Sequence, residues 1–302
     1  MGLLPSSIKM FLHFHKHYSF KGPVLTLGDQ NIWATYADLQ LYFNDLDIIA
    51  NPVQIVPHNS KMFKEDIILA HTSKNFVHAR TFFEMLNIHD YTDMDKFEDV
   101  RYIHDLNFPV PKELHNKFSL ILDGGTIEHI FDIRQVMENI VTMLQPEGCI
   151  VHIGSFNIDH GFYAISPCLF YEFYSLNGFS DFLCYIIQVD VSDITNTYHR
   201  KNICFKYTYG MNFKELIDPE KMILIFFAAR RNKIVPFAIP TQNIFNPDKT
   251  CIPEINTHLK KDIFMYRTLI PDQLLPLVQT LYPIARILKE KAAKYCVKKR
   301  LI

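Results

Sequence analysis

The chain has 302 residues, which is enough for one large α/β domain and a sizeable buried core. Its formal net charge of −1 provides no overall field that would attract nucleic acid, so no nucleic-acid partner is expected. The sequence has no uncharged apolar run of the roughly 18 residues that a membrane span requires, and its first residues lack the apolar core of a signal peptide. We therefore predict a cytoplasmic, soluble protein with no membrane span.

Neither the cysteines nor the histidines form a pattern typical of metal binding. None of the six cysteines lies in a Cys-x-x-Cys pair, which predicts reduced thiols in a reducing compartment. His13, His15 and His17 alternate, so on a strand they would share one face. No cysteine or carboxylate lies close by in the sequence to complete a set of ligands, and we expect no metal site.

The first part of the chain alternates between strand and helix patterns. Val24–Leu27 is a short apolar run that ends in Gly28, as in a buried strand that enters a loop. Apolar residues then recur at helical spacing over 36–46 and over 67–86, and the second of these helices is expected to end near Asn87.

Further strands and one helix follow. A weak strand ends at Asp93, a better one covers 100–104, and the clearest covers 118–122. Thr126 is predicted to cap a helix that continues to about residue 144, because a threonine hydroxyl accepts bonds from the free N–H groups of a first turn. A Pro-Glu-Gly sequence ends this helix, and 149–153 is the next strand.

Two more strands are predicted at 182–191 and 222–229. The alternation predicts an α/β fold, in which a mostly parallel sheet is flanked by helices and has an antiparallel terminal strand. This domain is expected to cover residues 1–235. Seven prolines interrupt residues 236–302, which we interpret as an irregular Pro-rich C-terminal extension. Its last part, 286–300, is predicted to be a basic helix that is available for contact with a partner or a surface.

Ligands of an open parallel sheet bind beyond the carboxyl ends of its strands. A glycine there lets backbone approach a nucleoside closely. A carboxylate after the second strand can accept both hydroxyls of a ribose, and a polar group after the third can meet an adenine amino group. The residues predicted at these positions are Gly28, Asp29, Gln30, Asp93, Asp105, Leu106, Asp123 and Gly124.

The glycine content of the first loop distinguishes between cofactors. Residues 28–33 contain one glycine, whereas a dinucleotide-binding loop has the pattern G-x-G-x-x-G, whose extra glycines admit a pyrophosphate. Asp29 would repel a pyrophosphate but tolerate a positively charged sulfonium. The loop therefore disfavours NAD and ATP and favours S-adenosylmethionine.

Four segments downstream carry a family resemblance. They are 103–111 (IHDLNFPVP), 123–132 (DGGTIEHIFD), 144–148 (LQPEG) and 160–167 (HGFYAISP). In order and spacing, residues 22–180 resemble class I S-adenosylmethionine-dependent methyltransferases, and above all a bacterial group with GTxEHxFD and HGFYxFSP segments. The resemblance implies a Rossmann-like fold, S-adenosylmethionine as the cofactor and methyl transfer as the activity.

The resemblance also implies positions for the cofactor. It places Gly28 beside the methionine part, Asp93 beside the ribose, and Asp105 with Leu106 beside the adenine. The stretch between the first and second strands is long, so the position of the ribose carboxylate has alternatives. These alternatives are Asp90 and Asp95.

Methyl transfer to a hydroxyl or an amine requires a base, for which the candidates are Glu128, His129 and His160. Glu128 and His129 are adjacent at the predicted start of a helix, so we expect only one of them to face the site. Tyr163 and Ser166 follow the fifth strand, where they would bind a small-molecule acceptor. We expect this acceptor to be small or sugar-like.

Two alternatives to this function stay open. The single glycine of the first loop is compatible with a methyltransferase-shaped binding or scaffold protein that has lost turnover, and a methyl-transfer product would exclude it. The second alternative is an enzyme that uses another nucleoside cofactor such as NAD, which the missing glycines disfavour.

Overall fold

The structure, a computed structural model, describes most of the chain up to residue 242 and one short strand beyond it. The described residues are 2–57, 76–97, 100–156, 160–189, 203–210, 221–242 and 263–265. Most of the Pro-rich extension, with the basic helix predicted at 286–300, lies outside them, so the domain division at residue 235 stays a prediction. Within the described ranges, no helix is long and apolar enough to cross a membrane.

Strands, α-helices and two short 3₁₀ turns are assigned in these ranges. The strands are β1 (Gly2–Leu3), β2 (Val24–Leu27), β3 (Asn31–Thr35), β4 (Phe76–His78), β5 (Tyr91–Asp95), β6 (Tyr102–Ile103), β7 (Phe118–Asp123), β8 (Leu144–Ser155), β9 (Phe179–Val189), β10 (Ile203–Lys206), β11 (Met222–Arg231) and β12 (Ile263–Met265). The helices are α1 (Pro5–Tyr18), α2 (Tyr36–Asp45), α3 (Ala79–Met85), α4 (Ile133–Met143) and α5 (Pro167–Leu176). The 3₁₀ turns cover Lys112–Leu114 and Ile127–His129.

Among the residues that the structure describes, the central sheet has nine strands in the order β6–β5–β2–β7–β8–β11–β9–β10–β12. The neighbours from β6 to β8 are parallel, and their order along the chain is the 3-2-1-4-5 order of a doubly wound, Rossmann-like sheet. Strand β11 lies antiparallel between β8 and β9, and antiparallel pairs continue to β12. The predicted α/β fold class, a Rossmann-like parallel sheet flanked by helices, is confirmed. The antiparallel part, predicted as one terminal strand, is larger and comprises β11, β9, β10 and β12.

A second, smaller sheet contains residues that directly follow the loop after β2 and were predicted to belong to that loop. Strand β3 pairs in parallel with β1 and antiparallel with β4. Residues 31–33, predicted to be loop, are a strand because Asn31 and Ile32 pair with Gly2 and Leu3. The loop after β2 therefore consists of residues 28–30 alone.

The helix predicted over 67–86 is partly wrong. Residues 76–78 form β4, and the helix that follows is α3, which starts at Ala79. The side chain of His78 accepts a hydrogen bond from the N–H of Arg80 and so caps this helix. Residues 67–75 of the prediction lie outside the described part of the chain.

The three alternating histidines lie on helix α1 and not on a strand. At two-residue spacing, successive side chains on a helix point in different directions, so the three rings do not converge. His13 Nε2 lies 3.2 Å from the hydroxyl of Tyr185, and His17 Nε2 lies 2.9 Å from a carboxylate oxygen of Asp181. Each of these two rings therefore contacts the central sheet or its edge on its own.

The helix predicted to begin at Thr126 begins later. Residues 127–129 form a 3₁₀ turn, and α4 starts at Ile133 with Asp132 as its cap, whose Oδ1 accepts from the N–H of Gln135 at 3.0 Å. Thr126 does not cap because its hydroxyl donates to the carbonyl of Leu27 at 2.6 Å. The Thr126 hydroxyl therefore joins the loop after β7 to the end of β2 instead of capping a helix.

Helices cover both faces of the central sheet. Helices α1, α2 and α3 contribute Phe11, Phe43 and Phe82 to one apolar core, and α4 and α5 contribute to the other. Successive residues of β11 point to opposite faces, so Phe226 is buried in the first core and Phe227 in the second. The two cores hold the sheet between them and leave its carboxyl edge to loops.

We expect Asp132→Ala to reduce the free energy of unfolding by about 1 kcal/mol, because the substitution removes the side-chain cap of α4. Urea denaturation followed by circular dichroism measures this loss. Asp90→Ala, at an exposed position before β5, is the matched control and should change stability by less than about 0.5 kcal/mol. An equal effect of the two substitutions would contradict the assignment of Asp132 as the cap.

Candidate active site

The candidate site lies at the carboxyl ends of β2 and β7, which are neighbours in the sheet. Within the central sheet, the strands that follow β2 along the chain, β5 and β6, lie on one side of it. The strand that follows β7, which is β8, lies on the other side. Loops that leave β2 and β7 therefore turn in opposite directions, and this separation opens the crevice in which doubly wound sheets bind their ligands.

Gly28 directly follows β2 and has a backbone conformation that favours glycine. Its φ is +81°, and its N–H donates to the carbonyl of Met94 on β5 at 2.7 Å. A Cβ at this position would lie 3.0 Å from Oγ1 of Thr126 and 3.6 Å from Oδ2 of Asp95. The ends of three strands therefore approach each other closely around this glycine.

Gln30 lies across the crevice between β2 and β7. Its Nε2 donates to the carbonyl of Leu27 at 2.6 Å, and its side chain covers Gly124, where any Cβ would collide with it. Its Oε1 is buried and has no hydrogen-bond partner among the described residues. A buried acceptor without a donor is costly, so this oxygen is suited to a ligand N–H group.

The structure brings Asp95, rather than Asp93, to the end of β5. The strand continues two residues beyond its predicted end, and Asp95 Oδ2 faces Gly28. Oδ1 of Asp93 accepts from the N–H of Arg101 at 2.8 Å. The third alternative, Asp90, lies at the opposite edge, since its carbonyl accepts from the N–H of Val24 at the start of β2.

Asp105 and Leu106 follow β6 as predicted, but the Asp105 carboxylate is already engaged. It pairs with Lys96 Nζ at 2.9 Å and accepts from both the backbone and the side chain of Asn107. The hydrogen bond from Lys96, together with those from Asn107, lowers the pKa of Asp105 to about 2. Leu106 is buried, and its carbonyl accepts from Asn139 Nδ2 at 3.0 Å.

Asp29 lies on the side of the crevice formed by the smaller sheet. Its Oδ1 is 3.9 Å from His78 Nε2 on β4. Partial burial raises the pKa of Asp29 above its usual value. When it is ionised, the carboxylate adds negative charge to the side of the crevice next to Gly28.

Asp123 is fully buried and holds the loop after β7. Its Oδ2 lies 2.7 Å from Nδ1 of His152, whose Nε2 lies 2.6 Å from the hydroxyl of Tyr174. Its Oδ1 accepts from the N–H groups of Thr126 and Ile127 at 2.8 and 3.3 Å. Both carboxylate oxygens of Asp123 therefore take part in an internal network, and its contact with a cofactor stays a prediction.

His152 and Tyr174 were not among the predicted site residues. The signal in the sequence was a single histidine within an otherwise apolar strand, since a buried polar ring requires partners. Its ring also stacks on Phe170, with centroids 4.3 Å apart and an angle of 10° between the planes.

Glu128, His129 and His160 converge in front of this network. One potential ligand atom from each lies within 4.8 Å of the others. The expectation that only one of Glu128 and His129 faces the site is wrong, because the two residues lie on a 3₁₀ turn and not at the start of an α-helix. The rings of His129 and His160 have centroids 5.0 Å apart.

The segment after β8 packs closely against this turn. The N–H of Phe162 donates to the carbonyl of Glu128 at 2.7 Å. Gly161 has a φ of +75°, and a Cβ there would lie 2.7 Å from the same carbonyl oxygen. Only a glycine therefore permits the close approach that places His160 beside His129.

The side chain of Glu128 is buried with incomplete hydrogen bonding. Its Oε1 accepts a long bond of 3.4 Å from the N–H of Ser155, and its Oε2 has no partner among the described residues. Burial, with the nearby carboxylate of Asp123, raises the pKa of Glu128 to about 7. Partial desolvation and the neighbouring His160 lower the pKa of His129.

The two residues predicted to bind the acceptor have structural contacts. The Tyr163 hydroxyl donates to the carbonyl of Phe131 at 2.6 Å, and the Ser166 hydroxyl accepts from the N–H of Cys168 at the start of α5. Beside Tyr163, the rings of Phe131 and Phe162 are 73% and 66% exposed and lie edge to face at 6.0 Å. This exposed aromatic pair gives the site an apolar rim.

The sequence matches no protein-family model and no curated protein. Similar solved structures include a SAM-dependent methyltransferase from Thermotoga maritima, described as a possible histamine N-methyltransferase, with 11% identity over 75% of this chain and 97% of that chain, and a TM-score of 0.32. The YcgJ protein from Bacillus subtilis has 11% identity over 74% and 98%, with a TM-score of 0.38. A SAM-dependent methyltransferase from Archaeoglobus fulgidus has 12% identity over 74% and 94%, with a TM-score of 0.34. At these values the similarity is too distant to assign an activity.

We expect Tyr174→Phe to reduce the free energy of unfolding by about 1 to 3 kcal/mol, because it leaves Nε2 of the buried His152 without a partner. Chemical denaturation measures the change. The matched control is Tyr102→Phe, which removes an exposed hydroxyl that accepts from Lys117 and should cost less than about 1 kcal/mol. If Tyr174→Phe is as stable as the wild type, the hydroxyl does not hold His152.

Proposed function

We propose that the chain transfers a methyl group from S-adenosylmethionine to a small acceptor, at the carboxyl edge of the central sheet. The observation that carries the proposal is the interlocking of three segments, which are distant in sequence and individually resemble methyltransferase segments. These segments are 103–111, 123–132 and 160–167. The contacts between these segments support one shared site for a cofactor and the catalytic residues at the carboxyl edge of the sheet.

Hydrogen bonds of two asparagine side chains and of the backbone join these segments. Asn139 on α4 accepts from the N–H of Val110 and donates to the carbonyls of Leu106 and Phe108, and so fixes the loop after β6. Asn107 from that loop accepts from the N–H of Asp132 at 2.9 Å. The 160–167 segment is joined to the turn by the bond from Phe162 to Glu128 described above. Residue types shared with the methyltransferase group thus have identifiable physical roles here.

The residues at the crevice fit a nucleoside with a cationic tail. Gly28 allows close approach of backbone, Asp95 presents a carboxylate that can accept ribose hydroxyls, and the free Oε1 of Gln30 can accept an N–H group. The negative charges of Asp29 and Asp95 favour a sulfonium over a pyrophosphate. The Gln30 side chain must turn away from Gly124 to admit the ligand, since it occupies the space between the two strand ends.

When bound, S-adenosylmethionine would supply a methyl group attached to a sulfonium. A lone pair of the acceptor would attack the methyl carbon in line with the C–S bond, which breaks as S-adenosylhomocysteine leaves. The chain contributes mainly by holding the acceptor at contact distance in the correct direction. Glu128, His129 and His160 would contact the nucleophilic atom and receive the proton that an acceptor hydroxyl or amine loses. Phe131 and Phe162 would cover the apolar part of the acceptor and exclude water.

A small, hydroxyl-bearing acceptor, sugar-like molecules included, suits this arrangement. One carboxylate and two imidazoles provide hydrogen-bonding groups for a hydroxyl, whereas the cavity that touches Asp123 and Glu128 is only about 10 Å³, which is space for about one water. The reacting group of the acceptor would therefore approach from the exposed side, between the aromatic rim and the imidazoles.

We expect S-adenosylhomocysteine to bind the purified full chain with micromolar affinity in calorimetric titrations. Gly28→Arg should abolish binding, because a long side chain at this positive φ would begin 3.0 Å from Oγ1 of Thr126 and fill the space proposed for the ligand. Asp95→Asn should weaken binding about tenfold or more, which corresponds to about 1.4 kcal/mol, because a charged acceptor of ribose hydroxyls is lost.

The matched control is Asp93→Asn, two residues earlier on the same strand, which should bind like the wild type. Equal losses for both aspartate variants would contradict the assignment of Asp95 to the ribose. No heat at millimolar S-adenosylhomocysteine would contradict the methyltransferase proposal and favour a binding or scaffold protein of the same shape.

A further inference from the structure

The Glu128–His129–His160 cluster contains more titratable groups than the removal of one proton requires. The cluster consists of one buried carboxylate and two imidazoles from two separate segments, and one potential ligand atom of each lies within 4.8 Å of the others. A single base would suffice for removing one proton. Two imidazoles and one carboxylate are instead a common ligand set for divalent transition metals with open coordination positions.

The spacing of the ligand atoms suits a metal ion after a small closure. Nitrogen and oxygen ligands of zinc lie about 2.0 to 2.2 Å from the ion, so any two of them are about 3 to 4 Å apart. The three atoms in this chain require movements of less than about 1 Å to reach such distances.

The buried side chain of Glu128 is an independent indication of a cation. Glu128 is only 1% exposed, yet its Oε2 has no hydrogen-bond partner among the described residues, and the carboxylate of Asp123 lies nearby. A buried carboxylate is normally paired or bound to a metal, because the loss of hydration is otherwise uncompensated. The long bond from the N–H of Ser155 reaches the other oxygen, Oε1, and comes from an uncharged group.

The surroundings of the cluster favour access for an ion. His129 is exposed and His160 is half-buried, so the cluster is closed behind by Glu128 and open towards solvent in front. The backbone around it is held by the bond from Phe162 to Glu128 and by the close packing of Gly161. Ligands on a backbone fixed in this way lose little freedom when an ion binds.

We infer that Glu128, His129 and His160 bind one divalent transition-metal ion of the zinc type, with its remaining positions open to solvent. The sequence prediction of no metal site did not consider these residues, because their convergence depends on the 3₁₀ turn. If the proposed methyl transfer is correct, the open positions would bind an oxygen of the acceptor. The substrate class would then be hydroxyl-bearing molecules whose oxygen loses its proton more readily on the metal.

The inference is tested on the untagged full chain after treatment with a chelator and desalting. Titration with ZnCl₂ should give one site per chain with micromolar or tighter affinity, and CoCl₂ should give the visible absorption of a low-symmetry cobalt site. His129→Ala and Glu128→Gln should each weaken zinc binding at least about tenfold, since each removes one of three ligands. His89→Ala, at an exposed histidine bonded to Asn87 near the opposite edge of the sheet, should bind like the wild type.

A loss of binding caused by misfolding is separated from a loss of ligands by circular dichroism and by His160→Gln. This variant keeps a polar side chain of similar size, and it should retain the wild-type spectrum while losing affinity for zinc. Zinc binding that is weaker than millimolar, or equal in the wild type and in a His129→Ala/His160→Ala double variant, would overturn the inference. S-adenosylhomocysteine binding is measured separately on metal-free protein, so failure of the metal site and failure of the proposed cofactor site give different results.

Discussion

The arrangement of the site depends on the buried carboxylate of Asp123 at the end of β7. One oxygen is hydrogen-bonded to His152, whose other ring nitrogen is bonded to the Tyr174 hydroxyl. The second oxygen accepts hydrogen bonds from N–H groups of the following turn. Backbone N–H groups at a tight turn have no ladder partners, and a carboxylate satisfies them strongly. The turn that carries Glu128 is therefore fixed to the core of the sheet, in addition to its contacts with the loop after β8.

The same constraint explains the electrostatics of the edge. Two carboxylates, Asp123 and Glu128, lie close together in a buried region, but only Asp123 has a full set of hydrogen-bond partners. Burial of the second charge is unfavourable unless it is protonated or meets a cation. The proposed metal ion and the proposed sulfonium cofactor are both cations, and both would compensate negative charge along this edge, the first at Glu128 and the second at Asp95.

The sequence predicted the parts of the fold that depend on local patterns. Continuous apolar runs identified β2 and β7, and their alternation with helices identified the sheet and its carboxyl edge. Local patterns could not predict the convergence of Glu128 and His129, since the contacts that fix the turn include a bond from Thr126 to Leu27, 99 residues away in the chain. The position of Gln30 over Gly124 likewise depends on which strands are neighbours, a property that no local pattern contains.

The central claim is that the crevice between β2 and β7 binds the cofactor. A crystal structure of the full chain with S-adenosylhomocysteine tests this claim most directly. The account predicts the adenosyl group beside Gly28, ribose hydroxyls bonded to Asp95, the Gln30 side chain turned away from Gly124, and the ligand sulfur directed towards Glu128. A ligand bound elsewhere, with Gln30 still covering Gly124, would contradict it.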